Sequence, residues 1–117
     1  CMEKEPYEVM IHENGGVFVW LSANKITFRP QEMESSYLIN TLRMVWNHLA
    51  TEPLQITPFK AYDFSDEPVY SARYFRLCLS EFIQELDRRR DLSESDQKAV
   101  IHIKSHKNEI IKNLSLL

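Results

Sequence analysis

A chain of 117 residues has the length of one domain, so we expect residues 1–117 to fold as a single unit. Its 44% hydrophobic and 26% charged residues are typical of a soluble globular protein rather than of a disordered one. The two glycines are too few for a glycine-rich phosphate-binding loop, and the net charge of −3 excludes a generally polycationic binder.

The cysteines and the hydrophobic runs predict a cytoplasmic protein with no membrane partner. Two cysteines cannot form a disulfide framework, and we expect Cys78 to be a reduced thiol buried in an apolar helical run. The longest uninterrupted apolar run, 17–21, is far shorter than the roughly 20 residues that cross a bilayer. The first residues show no signal-peptide pattern. Cys1, which precedes Met2, is interpreted as a remnant of expression or as a mature end rather than as a functional residue.

The first predicted element is a strand. Residues 1–6 are polar, end in a proline and are expected to be a frayed lead-in. Tyr7, Val9 and Ile11 then recur at every second position, which is the pattern of a half-buried strand. The segment 14–16, with its two glycines, predicts a tight hairpin turn because glycine adopts positive φ readily.

Two further strands complete the predicted sheet. The continuous apolar run 17–21 predicts a strand that is buried on both faces. Residues 22–24 predict a second turn, after which Ile26 and Phe28 alternate with polar residues as a third strand. The N-terminal part is therefore predicted to be a three-stranded antiparallel meander.

A central helix is predicted next. Pro30 suits a first helical turn, where its missing N–H has no partner to lose. Apolar residues follow at helical spacing over 33–49, in a stripe broad enough to be covered on more than one side. The helix is expected to end before Pro53, because the residue that precedes a proline avoids the helical region.

Two more helices are predicted after a long loop over 53–67. Ser65 or Asp66 is expected to cap a helix that runs to about Arg90. Ser93 is expected to cap a third helix that runs to the C-terminus, and the short connection makes the two helices antiparallel neighbours. The predicted fold class is α+β, with a three-stranded antiparallel meander followed by three helices in a single compact domain.

The densest aromatic stretch of the chain predicts a protein-binding site. Tyrosine and arginine supply large contact areas at a low entropy cost, and both occur here on the second predicted helix and the loop before it. The competing interpretation is that these aromatic residues pack a core beneath the loop. The predicted partner-binding residues are Phe59, Tyr62, Phe64, Tyr70, Arg73, Tyr74 and Arg76.

A nucleic-acid surface is the alternative prediction. Residues 68–117 carry nine basic and seven acidic side chains, so this half of the chain is mildly basic. A positive run at a helix C-terminus is also favoured by the helix dipole alone. The residues of the alternative site are Arg88, Arg89, Arg90, Lys104 and Lys107.

No metal, cofactor or catalytic site is predicted. His102 and His106 share a helix face as two zinc ligands would, but the sequence offers no third and fourth ligand at a suitable spacing. Asp63, Asp66 and Glu67 lack the alternation and the glycine turn of a calcium loop. We therefore expect a protein that is not an enzyme.

Residues 37–49, with the sequence YLINTLRMVWNHL, resemble a helix of small accessory proteins from bacteriophages and mobile elements. The resemblance implies a small protein that acts inside a bacterial cell by stoichiometric binding, including inhibition of host defence systems. It transfers no site residue. The predicted function is protein binding, with a protein partner or, if apolar stripes on the last two helices need covering, a second copy of the chain.

Overall fold

The chain is mostly helical in the computed structural model, which describes residues 5–56, 64 and 67–114. Within these residues there are four α-helices and one two-stranded antiparallel sheet. The elements in chain order are α1 (Pro6–Glu13), β1 (Trp20–Leu21), β2 (Thr27–Phe28), α2 (Ser35–Leu49), α3 (Ala72–Arg88) and α4 (Glu94–Leu114). Short 3-10 turns at Pro30–Glu32 and Glu52–Leu54 flank α2.

The predicted α+β fold with a three-stranded meander is wrong, because the first predicted strand is helix α1. Pro6 opens this helix, and the Glu8 carboxylate accepts a hydrogen bond from the Glu5 N–H at 3.2 Å. Tyr7 and Met10 pack against the core, whereas Val9 is 41% exposed. The partly buried residues Tyr7 and Met10 therefore follow the helical spacing of three rather than the strand spacing of two.

The two glycines end helix α1 instead of forming a hairpin turn. The Gly16 N–H donates to the Ile11 carbonyl at 3.0 Å, and the Gly15 N–H donates to the His12 carbonyl at 3.2 Å. This pair of bonds is a Schellman motif, in which the residue after the cap adopts a left-handed conformation. Gly15 has a φ of 85°, so the positive φ was predicted for the right residues but in the wrong motif.

The second predicted hairpin is present with shorter strands. Trp20 lies opposite Phe28, and Leu21 lies opposite Thr27. The Ser22 hydroxyl accepts the Ile26 N–H at 3.2 Å across the turn, in which Lys25 has a φ of 64°. This hairpin is the whole sheet in the described part of the chain.

Helices α2 and α4 begin near their predicted positions, whereas α3 begins at Ala72, later than predicted. Helix α2 starts at Ser35 because Pro30 opens a separate 3-10 turn. The Ser71 hydroxyl caps α3 by accepting the Tyr74 N–H at 3.2 Å, and the predicted caps Ser65 and Asp66 lie outside the described residues. The Ser93 hydroxyl accepts the Asp96 N–H at 3.1 Å, which confirms its predicted role as the cap of α4.

Helix α2 is central, as its broad apolar stripe predicted. It contacts both α3 and α4, and Leu38, Leu42, Val45 and Trp46 are completely buried. The Trp46 indole donates to the Leu54 carbonyl at 2.7 Å, so its one polar atom is satisfied inside the core. No helix in the described ranges is long and apolar enough to cross a membrane.

Tyr74 joins α3 to the hairpin. Its hydroxyl donates to the Val19 carbonyl at 2.7 Å and accepts the Leu21 N–H at 3.1 Å. The Tyr70 hydroxyl donates to the Leu21 carbonyl, and the Trp20 ring stacks on the Tyr74 ring with centroids 6.1 Å apart. Tyr74 of α3 and Tyr70, which precedes it, thus bond the backbone at β1 and at the residue before it.

Replacing Tyr74 with phenylalanine is expected to lower the free energy of unfolding by about 2 kcal/mol, because a buried N–H and a buried carbonyl both lose their partner. The matched variant Tyr37→Phe removes a hydroxyl from a side chain that is 37% exposed, and should change stability by less than about 0.5 kcal/mol. Urea unfolding monitored by circular dichroism measures both. Equal midpoints for the two variants would contradict this role of Tyr74.

Burial raises the pKa of the Cys78 thiol well above its usual value of 9.0. The unfolded chain therefore loses the thiol proton near pH 9 while the folded chain keeps it, so stability falls as pH rises above that point. Between pH 9 and 10 the wild type should lose up to about 1.4 kcal/mol more unfolding free energy than Cys78→Ala. Urea titrations across this range test the difference, and parallel curves for the two proteins would refute it.

Candidate partner-binding pocket

The three predicted aromatic residues that the structure describes lie in the core or pack against it. Tyr74 is 0% exposed and lies inside the core, whereas Phe64, at 4% exposed, presents only a small part of its ring to a neighbouring pocket. Tyr70 is half-buried and bonds the hairpin. Phe59 and Tyr62 lie outside the described residues. The sequence could not separate core from surface here, because both uses favour the same aromatic side chains at the same helical spacing.

The two arginines of the predicted site are exposed on α3 but do not join the aromatic residues. Arg73 pairs with Glu5 beside α1, with 3.5 Å between Nη1 and Oε2. Arg76 is exposed on the same helix. Neither arginine lines the apolar pocket that the structure forms nearby.

An apolar pocket of about 200 Å³ lies between the hairpin, α2 and the segment that leads into α3. The lining side chains among the described residues are all uncharged, and two of them belong to the predicted site. The lining residues are Trp20, Ala23, Tyr37, Thr41, Met44, Phe64 and Tyr70.

One face of α2 provides a wall of this pocket. Tyr37, Thr41 and Met44 are spaced by four and then three residues, so they lie along one side of the helix. The Thr41 hydroxyl donates to the Tyr37 carbonyl at 2.8 Å and is therefore satisfied within the helix. None of these three residues was among the predicted site residues, although the unusual width of the apolar stripe on α2 was a signal for them.

Aromatic contacts hold the opposite wall. The Phe64 and Tyr70 rings lie 5.0 Å apart, and the Trp20 and Tyr70 rings lie 5.7 Å apart. Because the Trp20 and Tyr70 rings also pack against the buried Tyr74, this pocket wall is part of the core. The pocket is therefore formed before any partner arrives.

Exposed hydrophobic side chains lie beside the pocket. Tyr37 lines it and is 37% exposed, and its ring contacts Phe28 at 5.8 Å. Ile26 precedes β2, lies on the same side of the strand as Phe28, and is 54% exposed. The apolar surface thus extends from the pocket onto the hairpin.

The predicted basic cluster is largely paired with acidic residues of its own helices. Arg88 and Arg89 both lie near Glu85, with N–O distances of 3.8 and 2.8 Å. Lys104 pairs with Asp87 at 3.1 Å. In the described part of the chain, Arg90 and Lys107 form no ion pair, so two of the five predicted cations have no acidic partner there.

Arg89 connects the end of α3 to the turn before α2. Its guanidinium donates to Glu85 at 2.8 Å, to the Ser35 hydroxyl at 3.1 Å and to the Pro30 carbonyl at 3.1 Å. The Ser35 hydroxyl in turn donates to Asp91 at 2.7 Å. This arginine is a structural residue with most of its donors in use.

The two candidate metal-ligating histidines are close together but have other partners. The His102 and His106 rings are 4.8 Å apart, and His102 Nε2 lies 2.9 Å from the Leu54 carbonyl. His106 Nδ1 lies 3.6 Å from Glu109. Among the residues that the structure describes, no three His, Cys, Asp or Glu side chains are grouped so that they could hold a metal ion. Of the predicted acidic cluster, Asp63 and Asp66 lie outside those residues.

Comparisons of the chain with protein-family models, with curated proteins and with solved structures find no match.

The three contacts of Arg89 predict that Arg89→Ala lowers the free energy of unfolding by about 2 kcal/mol. Arg90→Ala is the matched control: it removes the same charge one residue away, from an exposed side chain, and should change stability by less than about 0.5 kcal/mol. Thermal and urea unfolding of the two variants measure the difference. If both lose the same stability, the network around Arg89 contributes nothing beyond its charge.

Proposed function

We propose that this chain is a non-enzymatic protein-binding module that takes one apolar side chain of a partner protein into the pocket at Trp20, Tyr37 and Met44. The observation that carries the proposal is the preformed, uncharged pocket with exposed hydrophobic side chains beside it. Exposed apolar surface next to a concave site is typical of protein interaction surfaces.

The size of the pocket favours a side chain over a free small molecule. Drug-sized ligands and cofactors occupy clefts of about 300–1,000 Å³. A pocket of about 200 Å³ is smaller than that range and fits one ring or one branched aliphatic group. The rest of the contact area would then come from a partner that lies across Ile26 and the hairpin.

The lining residues of the pocket determine which side chain of the partner can enter it. We call this side chain the anchor. None of the described residues that line the pocket is charged, and the Thr41 hydroxyl already has an acceptor. A charged anchor would lose its hydration without gaining a partner. The expected anchor is therefore leucine, methionine or phenylalanine.

The resemblance of residues 37–49 to a phage accessory-protein helix supports a role for the chain as a small accessory protein in the bacterial cytoplasm. Such a protein acts by occupying a surface of its target, including a component of a host defence system. This helix also supplies one wall of the pocket, so the resemblance and the pocket concern the same element.

Nucleic-acid binding through the basic second half is the less favoured proposal. Internal pairing of Arg88, Arg89 and Lys104 leaves fewer cations to release counterions from a phosphate backbone. Arg90 and Lys107 would be the main contacts of such a surface.

Blocking the pocket tests the main proposal. Ala23 lines the pocket from the exposed hairpin turn, so Ala23→Arg places a long charged side chain at its entrance. Toluene, which mimics a phenylalanine side chain, should shift the Met44 methyl resonance of the wild type in a saturable manner. Ala23→Arg should weaken toluene binding by at least about tenfold, since burying one apolar side chain contributes roughly 1.5–3 kcal/mol.

The matched control is Asn24→Arg, which adds the same side chain to the next residue of the turn, outside the pocket lining. Peptides selected from a random library on the wild type should bind Asn24→Arg and fail to bind Ala23→Arg, and should lose binding when their apolar anchor is changed to alanine. Peptides that bind all three proteins equally would disprove the pocket as the site. Steeply salt-dependent DNA binding without peptide binding would favour the nucleic-acid proposal.

A further inference from the structure

A second concave site lies on a different face of α2, between that helix, the segment at residues 55–56 and the first turns of α4. Its volume is about 770 Å³, and it shares no lining residue with the apolar pocket. The side chains that matter for its chemistry are those of Arg43, Ser93, Ser95 and Lys98.

Arg43 is a buried cation with unused donors. Its side chain is only 9% exposed, and its one ion pair among the described residues is with Asp96, at 3.4 Å. The Nε atom of Arg43 is buried and has no hydrogen-bond partner among the described residues. A guanidinium has five N–H donors, and an Arg–carboxylate bond is normally about 2.7–2.9 Å long. Asp96 alone therefore leaves most of the hydrogen-bonding capacity of this cation unused.

The first turn of α4 faces the same cleft. Glu94 and Ser95 are its first two residues, and the N–H groups of a first turn have no acceptor inside the helix. Ser93 already caps the N–H groups of Asp96 and Gln97, through its hydroxyl and its carbonyl. The N–H groups of Glu94 and Ser95 have no such acceptor in the described part of the chain. Backbone N–H groups at a helix N-terminus bind anions.

The other charged groups of the cleft compete only weakly for a ligand. Lys98 lines it and lies 3.6 Å from Glu94, but both side chains are more than 70% exposed, so this pair contributes little. Asp96 is the single acid on Arg43, at a distance longer than a strong charged hydrogen bond. His102 also lines the cleft and is held by the Leu54 carbonyl.

We propose that this cleft binds a phosphate group between the Arg43 guanidinium, the N–H groups of Glu94 and Ser95, and Lys98. A tetrahedral oxyanion can accept hydrogen bonds from several directions at once, which matches donors that come from two different helices. The group could be inorganic phosphate or the phosphate of a nucleotide, and the two share this chemistry. The site is independent of the protein-binding pocket, so either proposal can fail alone.

Titration with inorganic phosphate at constant pH and ionic strength, followed by ¹⁵N NMR, tests the proposal. Saturable shifts of the Arg43 Nε–H and of the Glu94 and Ser95 amides are expected, and sodium chloride alone should not produce them. A parallel titration with adenosine monophosphate distinguishes the sources: tighter binding supports a nucleotide, and equal or weaker binding supports free phosphate. No saturable shift with either ligand, or the same shifts with chloride, overturns the site.

Substitutions inside and outside the cleft test whether phosphate binds there. Arg43→Gln should raise the Kd for phosphate about tenfold, because charged hydrogen bonds are lost. Lys98→Gln is an exposed substitution that should keep the fold and raise the Kd several-fold. Lys104→Gln, on the same helix but outside this cleft, should leave the Kd unchanged. If Arg43→Gln does not fold, a Kd for Lys98→Gln equal to that of Lys104→Gln overturns the proposal.

Discussion

The hydroxyl of Tyr74 is the contact on which the arrangement of the N-terminal part depends. A sheet of two strands with two residues each is too short to be stable alone. Tyr74 and Tyr70 bond the backbone at Leu21 of β1 and at Val19 just before it, and so provide hydrogen bonds that the predicted third strand would have provided. Packing of Trp20 on Tyr74 then fixes the hairpin against the helices, and with it one wall of the apolar pocket.

Helix α2 links the two proposed sites. Thr41 and Met44 face the apolar pocket, and Arg43 faces the cleft at the start of α4. A helix that is covered by α3 and α4 along most of its length keeps these side chains in fixed positions. The two sites differ in chemistry because one face meets aromatic rings, whereas the other meets the polar N-terminus of a helix.

Neighbouring arginines have different roles because of what surrounds them. Arg89 reaches a carbonyl, a hydroxyl and a carboxylate, and it therefore holds the end of α3 against the start of α2. Arg90 is exposed and Arg88 is 70% exposed. The basic run thus combines one structural residue with two surface residues, which a charge count along the sequence treats as equivalent.

The sequence alone was enough to predict three long helices, the turn at 22–24 and the Ser93 cap, because periodicity, turn residues and caps act within a few residues. It also indicated that α2 is central. Residues 6–13 carry local helix signals at Pro6 and at the two following glycines, but their apolar alternation also favours a strand, and the sequence did not decide between the two. Only the packing of the whole chain shows that Tyr74 is buried. Likewise, the acceptors of Arg89 at Ser35 and Pro30 lie 54 and 59 residues away, and Asp96 lies 53 residues from Arg43. Local sequence patterns carry no information about such pairs, because contacts of this range form only when the helices pack together.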